Sequence, residues 1–366
     1  MEKNRERRSL MSLKITVDGL TFPNPLMPAS GPIVGDSDKL LYLQNEGVGG
    51  LVTKTISVKE PHIPRPCIYG DKNYIMNSEL WSEHSYKLWI DEFLPELVKH
   101  KNRPLIISVG YTKEDMAFLI PQLDKFADAF EISTHYVGTD LSVISETVRT
   151  IRENTKKPIY MKISPHIPNP VLFAETVKKA GASGIVAINS LGPTMKIDVV
   201  SRQIKYAPES GFVWTSGPVI KNLALATVYT IKQAMPDFTV IGVGGISNSQ
   251  DVLEFLLAGA DAVQMLSGAL LKGKDLYKKI ITDLPKTLKT FGFDSIQEVI
   301  DTPLTNPVTY QKRVPTLIEE KCIKCEICVK VCPYFAIEMK DKITFDEDKC
   351  FGCGLCISKC PSHALK

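Results

Sequence analysis

At 366 residues, 44% of them hydrophobic, the chain is long enough for one large domain or two to three average ones with substantial cores. Its 44 basic and 41 acidic side chains leave a formal charge of +3, too small to mark a nucleic-acid-binding or membrane-binding surface. The opening "MEKNRERRSL" lacks the apolar core of a secretory signal and no apolar run is long enough to span a bilayer, so the protein is expected in the cytoplasm, with residues 1–12 as a flexible tail.

From residue 13, "LKITVDGLTFPNP" reads as a small hairpin closing the bottom of the main domain. Eight short apolar runs come next: 25–30, 49–55, 104–110, 129–134, 158–164, 184–190, 238–245 and 262–268. Amphipathic stretches such as "DLSVISETVRTIRENT" and "SQDVLEFLLAGA" separate them, the pattern of repeated βα units around a buried parallel sheet. Eight such units in roughly 250 residues predict an α/β fold of the closed (β/α)8 TIM-barrel type over residues 13–302, rather than a doubly wound sheet. The Pro- and Thr-rich stretch 303–316 reads as a linker, and 317–366 as a separate small domain.

In a barrel, the C-terminal ends of the strands face the active site. Those ends carry Ser30 and Gly31, Lys54 and Thr55, Ser108, Ser133 followed by His135 and Tyr136, Lys162, Asn189 and Ser190, Gly244 and Gly245, and Ser267 and Gly268. The glycine turns "GVGGIS" and "MLSGA" on the last two strands suit a phosphate, because glycine lets the backbone approach and a following helix offers N–H donors. A plain tight turn would also read "GVGG". It is not a dinucleotide fingerprint, since Ser247 stands where the third glycine would fall.

Eight of the nine cysteines lie in the last 45 residues, and only Cys67 lies elsewhere. They form two copies of C-x-x-C-x-x-C-x-x-x-C-P: Cys322, Cys325, Cys328, Cys332 and Cys350, Cys353, Cys356, Cys360. Zinc sites usually separate two C-x-x-C pairs by a longer insert. The spacing here is that of a ferredoxin with two [4Fe-4S] clusters, in which the fourth cysteine of each copy ligates the other copy's cluster. That pairs Cys322, Cys325 and Cys328 with Cys360, and Cys350, Cys353 and Cys356 with Cys332. So small a tail is expected to need its metal in order to fold.

Over about residues 13–366 the chain resembles the flavin-dependent dihydroorotate dehydrogenases, and more closely the pyrimidine-reducing barrel of dihydropyrimidine dehydrogenases, including bacterial subunits that end in a two-cluster ferredoxin segment. The likeness is carried by "PLMPASGP", "VTKTIS", "MNSELWSE", "YMKISP", "VAINS", "SGPVIK" and "VIGVGGISNSQDVLEFLLAGADAVQ". It implies FMN at the barrel mouth. Ala29, Ser30, Gly31, Lys54, Thr55 and Ser133 would lie around the ring, Lys162 at its N1–C2=O end, and Ser216, Gly217, Gly244, Gly245, Ser267 and Gly268 at ribityl and phosphate. Asn77, Glu79, Asn189 and Ser190 match the residues that read a small-molecule amide substrate.

The sequence departs from the family on the loop after strand four, where a catalytic cysteine is usual and "EISTHYVGTD" stands instead. Tyr136 and His135 are the positional candidates for moving the proton, with His166 a third, while Cys67 is more simply a small apolar filler. FMN coupled to two single-electron clusters predicts an oxidoreductase acting on a CH–CH or C=C bond of a pyrimidine-like or other cyclic carbonyl compound. Electrons would pass to or from an external flavoprotein subunit or ferredoxin, within a homodimer or hetero-oligomer. The alternative is an electron-transfer or assembly subunit with a catalytically altered barrel.

Overall fold

A computed structural model describes residues 12–134, 136 and 138–366. The chain divides into two compact units, one ending at Leu304 and one beginning at Thr305.

All eight apolar runs form strands of one parallel sheet: Leu26–Pro28, Leu51–Val52, Leu105–Val109, Ala129–Ile132, Ile159–Ile163, Gly184–Ala187, Thr239–Val243 and Ala262–Met265. Consecutive strands pair from the second to the eighth, and the eighth pairs with the first. The Gly49 N–H donates to the Leu26 carbonyl at 2.8 Å and joins the first strand to the second, so the sheet closes on itself as a (β/α)8 barrel. The runs are continuous rather than alternating because both faces are covered: Ile106, Ile107, Phe130, Met161, Val186 and Val263 are all fully buried. The ladders stop short of the expected runs at their C-terminal ends, where residues such as Lys54 and Asn189 leave the sheet.

Helices follow the strands, and side chains fit for the task open several of them. Asp36, Thr112, Asn169 and Asn248 each accept a backbone N–H of their helix's first turn, and Thr112 with Asp115 forms a reciprocal capping box. The N-terminal hairpin pairs Ile15–Val17 with Leu20–Phe22. Burial and then the Asp18 carboxylate, from the hairpin turn, push the hydroxyl of Tyr160 on the fifth barrel strand up. None of the described helices is long and apolar enough to cross a membrane.

A second sheet was not expected from the sequence. Four antiparallel strands, Ile68–Gly70, Ile75–Asn77, Val213–Ser216 and Leu191–Thr194, come from the loops after barrel strands two and six. Its register puts Trp214 opposite Asn77 and Ser216 opposite Ile75.

In the second unit the end of the expected linker 303–316, from Lys312 onward, packs with the cysteine-rich segment. Thr316 and Lys366 exchange backbone hydrogen bonds at 2.9 and 3.1 Å, and Lys312 Nζ donates to the Glu347 carbonyl. The two cysteine copies fold alike, with short helices at Ile327–Val331 and Leu355–Ser358. Left-handed residues recur at equal offsets: Lys324 and Glu326 in the first copy, Gly352 and Gly354 in the second. The first copy therefore places side chains where the backbone favours glycine, a cost of about 1 kcal/mol per residue. Glu326→Gly is expected to stabilise this unit by up to about 1 kcal/mol. The check is the guanidinium midpoint for loss of visible cluster absorbance, which should rise; an unchanged or lower midpoint would count against the strain.

Candidate active site and cluster pockets

Because the barrel strands run in parallel, every C-terminal end opens on one face, and a large cavity lies there with about 1220 Å³ of empty space, its open mouth included. Ala29, Ser30, Gly31, Lys54, Thr55, Ser133, Lys162, Gly244, Gly245, Ser267 and Gly268 line it from the strand ends. Asn77 and Glu79 reach it from the loop after strand two, Asn189 and Ser190 from the end of strand six, and Ser216 and Gly217 from the antiparallel sheet.

Two buried lysines dominate the floor. Lys162 Nζ lies 3.0 Å from Glu131 Oε1, the second Glu131 oxygen accepts from Gln264 Nε2 at 2.7 Å, and Glu131 is wholly buried. Gln264 Oε1 has no hydrogen-bond partner among the described residues. Lys54, 1% exposed, bonds Glu79 Oε1 at 2.8 Å and Glu83 Oε2 at 2.6 Å. Burial would raise the Glu83 carboxyl, but the Lys54 hydrogen bond and charge outweigh it and hold it below the usual carboxylate range. Hydroxyls form the rest of the polar wall: Ser30 Oγ to Thr55 Oγ1 at 2.9 Å, Thr55 Oγ1 to Ser108 Oγ at 3.0 Å, and Ser216 Oγ to Ser267 Oγ at 2.7 Å.

The glycine side of the cavity is bare backbone. Gly217 and Gly245 hold φ of 99° and 85°, and a Cβ on Gly245 would fall 2.9 Å from the Gly217 carbonyl oxygen, so neither position accepts a side chain without strain. Beyond Gly217 the chain turns into the helix Lys221–Ala234. A phosphate fits such a cradle of backbone and hydroxyl groups, and a flat ring fits the floor between Ala29, Thr55 and Lys162.

The proton-moving candidates fare differently. Tyr136 does not line the cavity; its hydroxyl donates to the Asp140 carbonyl of its own loop. His135 lies outside the described residues. Cys67 is also off the cavity, and burial together with Glu79 pushes its thiol up. His166 lines an adjoining cavity. Residues not anticipated from sequence are Glu131, Gln264, Glu83, Trp81, Trp214 and Tyr111. Tyr111 lines the cavity with its ring 4.6 Å from that of Trp81, and burial pushes its hydroxyl up. A signal existed for two of them, since Glu131 and Gln264 interrupt otherwise apolar strands.

In the second unit two hollows separate the cysteines into fours. Cys322, Cys325, Cys328 and Cys360 line one; Cys332, Cys350, Cys353 and Cys356 line the other. Among the described residues no three His, Cys, Asp or Glu side chains converge closely enough for a single metal ion. Three closely spaced cysteines of one copy and the last of the other line each hollow, the ligand grouping that suits an iron–sulfur cluster. The last cysteine of each copy accepts a backbone N–H four residues on, Ala336 to Cys332 Sγ at 3.4 Å and Ala364 to Cys360 Sγ at 3.2 Å.

Residues 12–288 match the family described as dihydroorotate dehydrogenase, and residues 321–364 match the 4Fe-4S dicluster domain. The chain belongs to the dihydroorotate dehydrogenase family. Its relatives named dihydroorotate dehydrogenase B (NAD(+)), catalytic subunit, include those of Pyrococcus furiosus, 33% identical over 302 residues, 79% of this chain and 98% of its own length, and Thermococcus kodakarensis, 32% identical over 306 residues, 80% and 98%. That of Oceanobacillus iheyensis is 31% identical over 303 residues, 80% and 98%. The protein is thus a flavin-dependent oxidoreductase of the CH–CH class carrying a 4Fe-4S domain, and the family's FMN suits the cavity over the strand ends.

The buried pair makes a direct prediction. Lys162→Met should destabilise the fold by about 3 kcal/mol, because Glu131 is left as an unpaired buried charge. Lys162→Met with Glu131→Gln should recover most of that loss. Denaturant midpoints of the barrel followed by circular dichroism check both; equal losses in the single and double variants would contradict the pairing.

Proposed function

We propose that this protein interconverts the C=C and CH–CH bond of a small, uncharged cyclic amide of the pyrimidine type, in the cytoplasm, and exchanges electrons with a separate protein through two [4Fe-4S] clusters. The observation that carries the substrate class is the charge state of the cavity wall. Both lysines in the described lining are engaged by carboxylates, and Glu79 itself lines the site. A ring bearing its own carboxylate would meet Glu79 without an unengaged lysine to offset it.

The polar groups suit a neutral imide edge. The Glu79 N–H donates to Asn77 Oδ1 at 2.6 Å, and the Ser190 N–H donates to Asn189 Oδ1 at 2.8 Å. These bonds orient each amide with its NH2 group as the donor end, suited to ring carbonyls, while the Glu79 carboxylate accepts a ring N–H. FMN, when bound, supplies hydride transfer at carbon and the change between two-electron and one-electron exchange. Lys162, held at the cavity floor by Glu131, would present its ammonium to that ring. Tyr111, the phenol of the described lining, keeps its proton at neutral pH and is positioned to give it to the substrate carbon or take it back.

Support for two clusters is the separation of the cysteines into two hollows by the crossed pattern of a two-cluster ferredoxin. The relatives' own names mark them as catalytic subunits, which supports a separate electron-transfer subunit or ferredoxin for this chain as well.

The test is anaerobic: reduced holoenzyme is mixed with uracil, thymine or orotate and flavin reoxidation is followed. Uracil or thymine should reoxidise it at least about tenfold more efficiently than orotate, and a preference for orotate would overturn the substrate class. In the same experiment Tyr111→Phe should slow reoxidation by about 10²- to 10⁴-fold. A normal rate in that variant would remove Tyr111 from proton transfer.

A further inference from the structure

A second cavity adjoins the first. Tyr111, Asn189, Ser190 and Trp214 line both, and Ser164, His166, Gly192 and Pro193 line only the second. Its empty space, open mouth included, is about 1000 Å³, comparable to that of the cavity over the strands. A free pyrimidine ring held by Asn77, Glu79 and Asn189 has no use for so large an annex.

We propose that this annex receives a neutral, hydroxyl-bearing substituent on the substrate ring, so that the enzyme accepts N-substituted cyclic ureides of nucleoside size as well as the free base. This rests on the cyclic-amide reading of the main cavity. The walls supply the chemistry. Tyr111 and Trp214 give broad apolar faces, and Ser164, His166 and Ser190 give hydrogen-bonding groups. Among the described residues no Asp, Glu, Lys or Arg side chain lines the annex.

His166 adds a constraint. Its Nε2 accepts the Gly192 N–H at 3.3 Å, which leaves Nδ1 as the ring's other hydrogen-bonding atom. That atom suits a sugar hydroxyl, and with no basic side chain among the described lining residues the annex offers nothing to pair with a phosphate. The cavity wall made by strands five and six and the antiparallel sheet therefore selects for polarity without charge on the substituent, as the floor does on the ring.

Titration of oxidised holoenzyme, read by perturbation of the flavin spectrum, tests this with uracil and uridine as probes. Uridine should bind within about tenfold of uracil, and Ser164→Phe, which fills the annex, should weaken uridine relative to uracil by at least about tenfold. His166→Ala, a smaller change, should lower the same ratio in the same direction. Uracil binding without uridine binding, or an unchanged ratio in both variants, would overturn the annex while leaving the cyclic-amide reading intact. Failure of both probes to bind would overturn that reading and the annex with it.

Discussion

An ammonium group taken out of water stays charged only where a carboxylate meets it, and the barrel mouth is built around two such meetings. Lys162 on Glu131 and Lys54 on Glu79 and Glu83 bring cations to the floor without leaving net positive charge there. Breaking either pair leaves a charge without a counterion in low dielectric. This compensation leaves a floor over the strand ends that suits a flat, electron-rich ring. Gln264, reaching from strand eight to the second oxygen of Glu131, ties that balance to the far side of the barrel.

The antiparallel sheet explains how a common barrel acquires a particular wall. Two long loops, each too irregular to fold alone, pair with one another after barrel strands two and six. Pairing satisfies backbone groups that a covered loop would otherwise leave unmet, and it fixes Asn77, Trp214 and Ser216 relative to one another within one register. These cavity-lining side chains thus stand on or beside strands rather than on free loops, which narrows the positions they can take.

The cysteine-rich unit has a different basis. Its core is small, Ile337, Ile343, Cys356 and Leu365 with the buried Ala336 and Ala364, far too little apolar surface to offset the ordering of its chain. Iron–sulfur ligation therefore stands in for a core, and the fold tolerates strained residues such as Lys324 and Glu326 because thiolate ligation holds the turns. Repetition of the left-handed positions at the same offsets in both copies shows that backbone shape follows the demands of the cluster, and the side chains accommodate it.

The barrel was legible in the sequence because a strand covered on both faces must be continuously apolar, and eight such runs at helical separations leave few other folds. The clusters were legible because ligand spacing is local. The strand-end residues Lys54, Lys162, Asn189 and the glycine pairs were reachable from the same reasoning, since parallel strands send their C-terminal ends to one face. What the tertiary structure alone decided is which of these groups meet: that Glu131 neutralises Lys162 from the neighbouring strand, that Tyr136 turns back onto its own loop while Tyr111 faces the cavity, and that the loops after strands two and six pair into a sheet. The pairing of Lys162 with Glu131 and of the two loops depends on contacts between residues dozens of positions apart in the chain, and no periodicity or spacing encodes the distance between two side chains that only folding brings together.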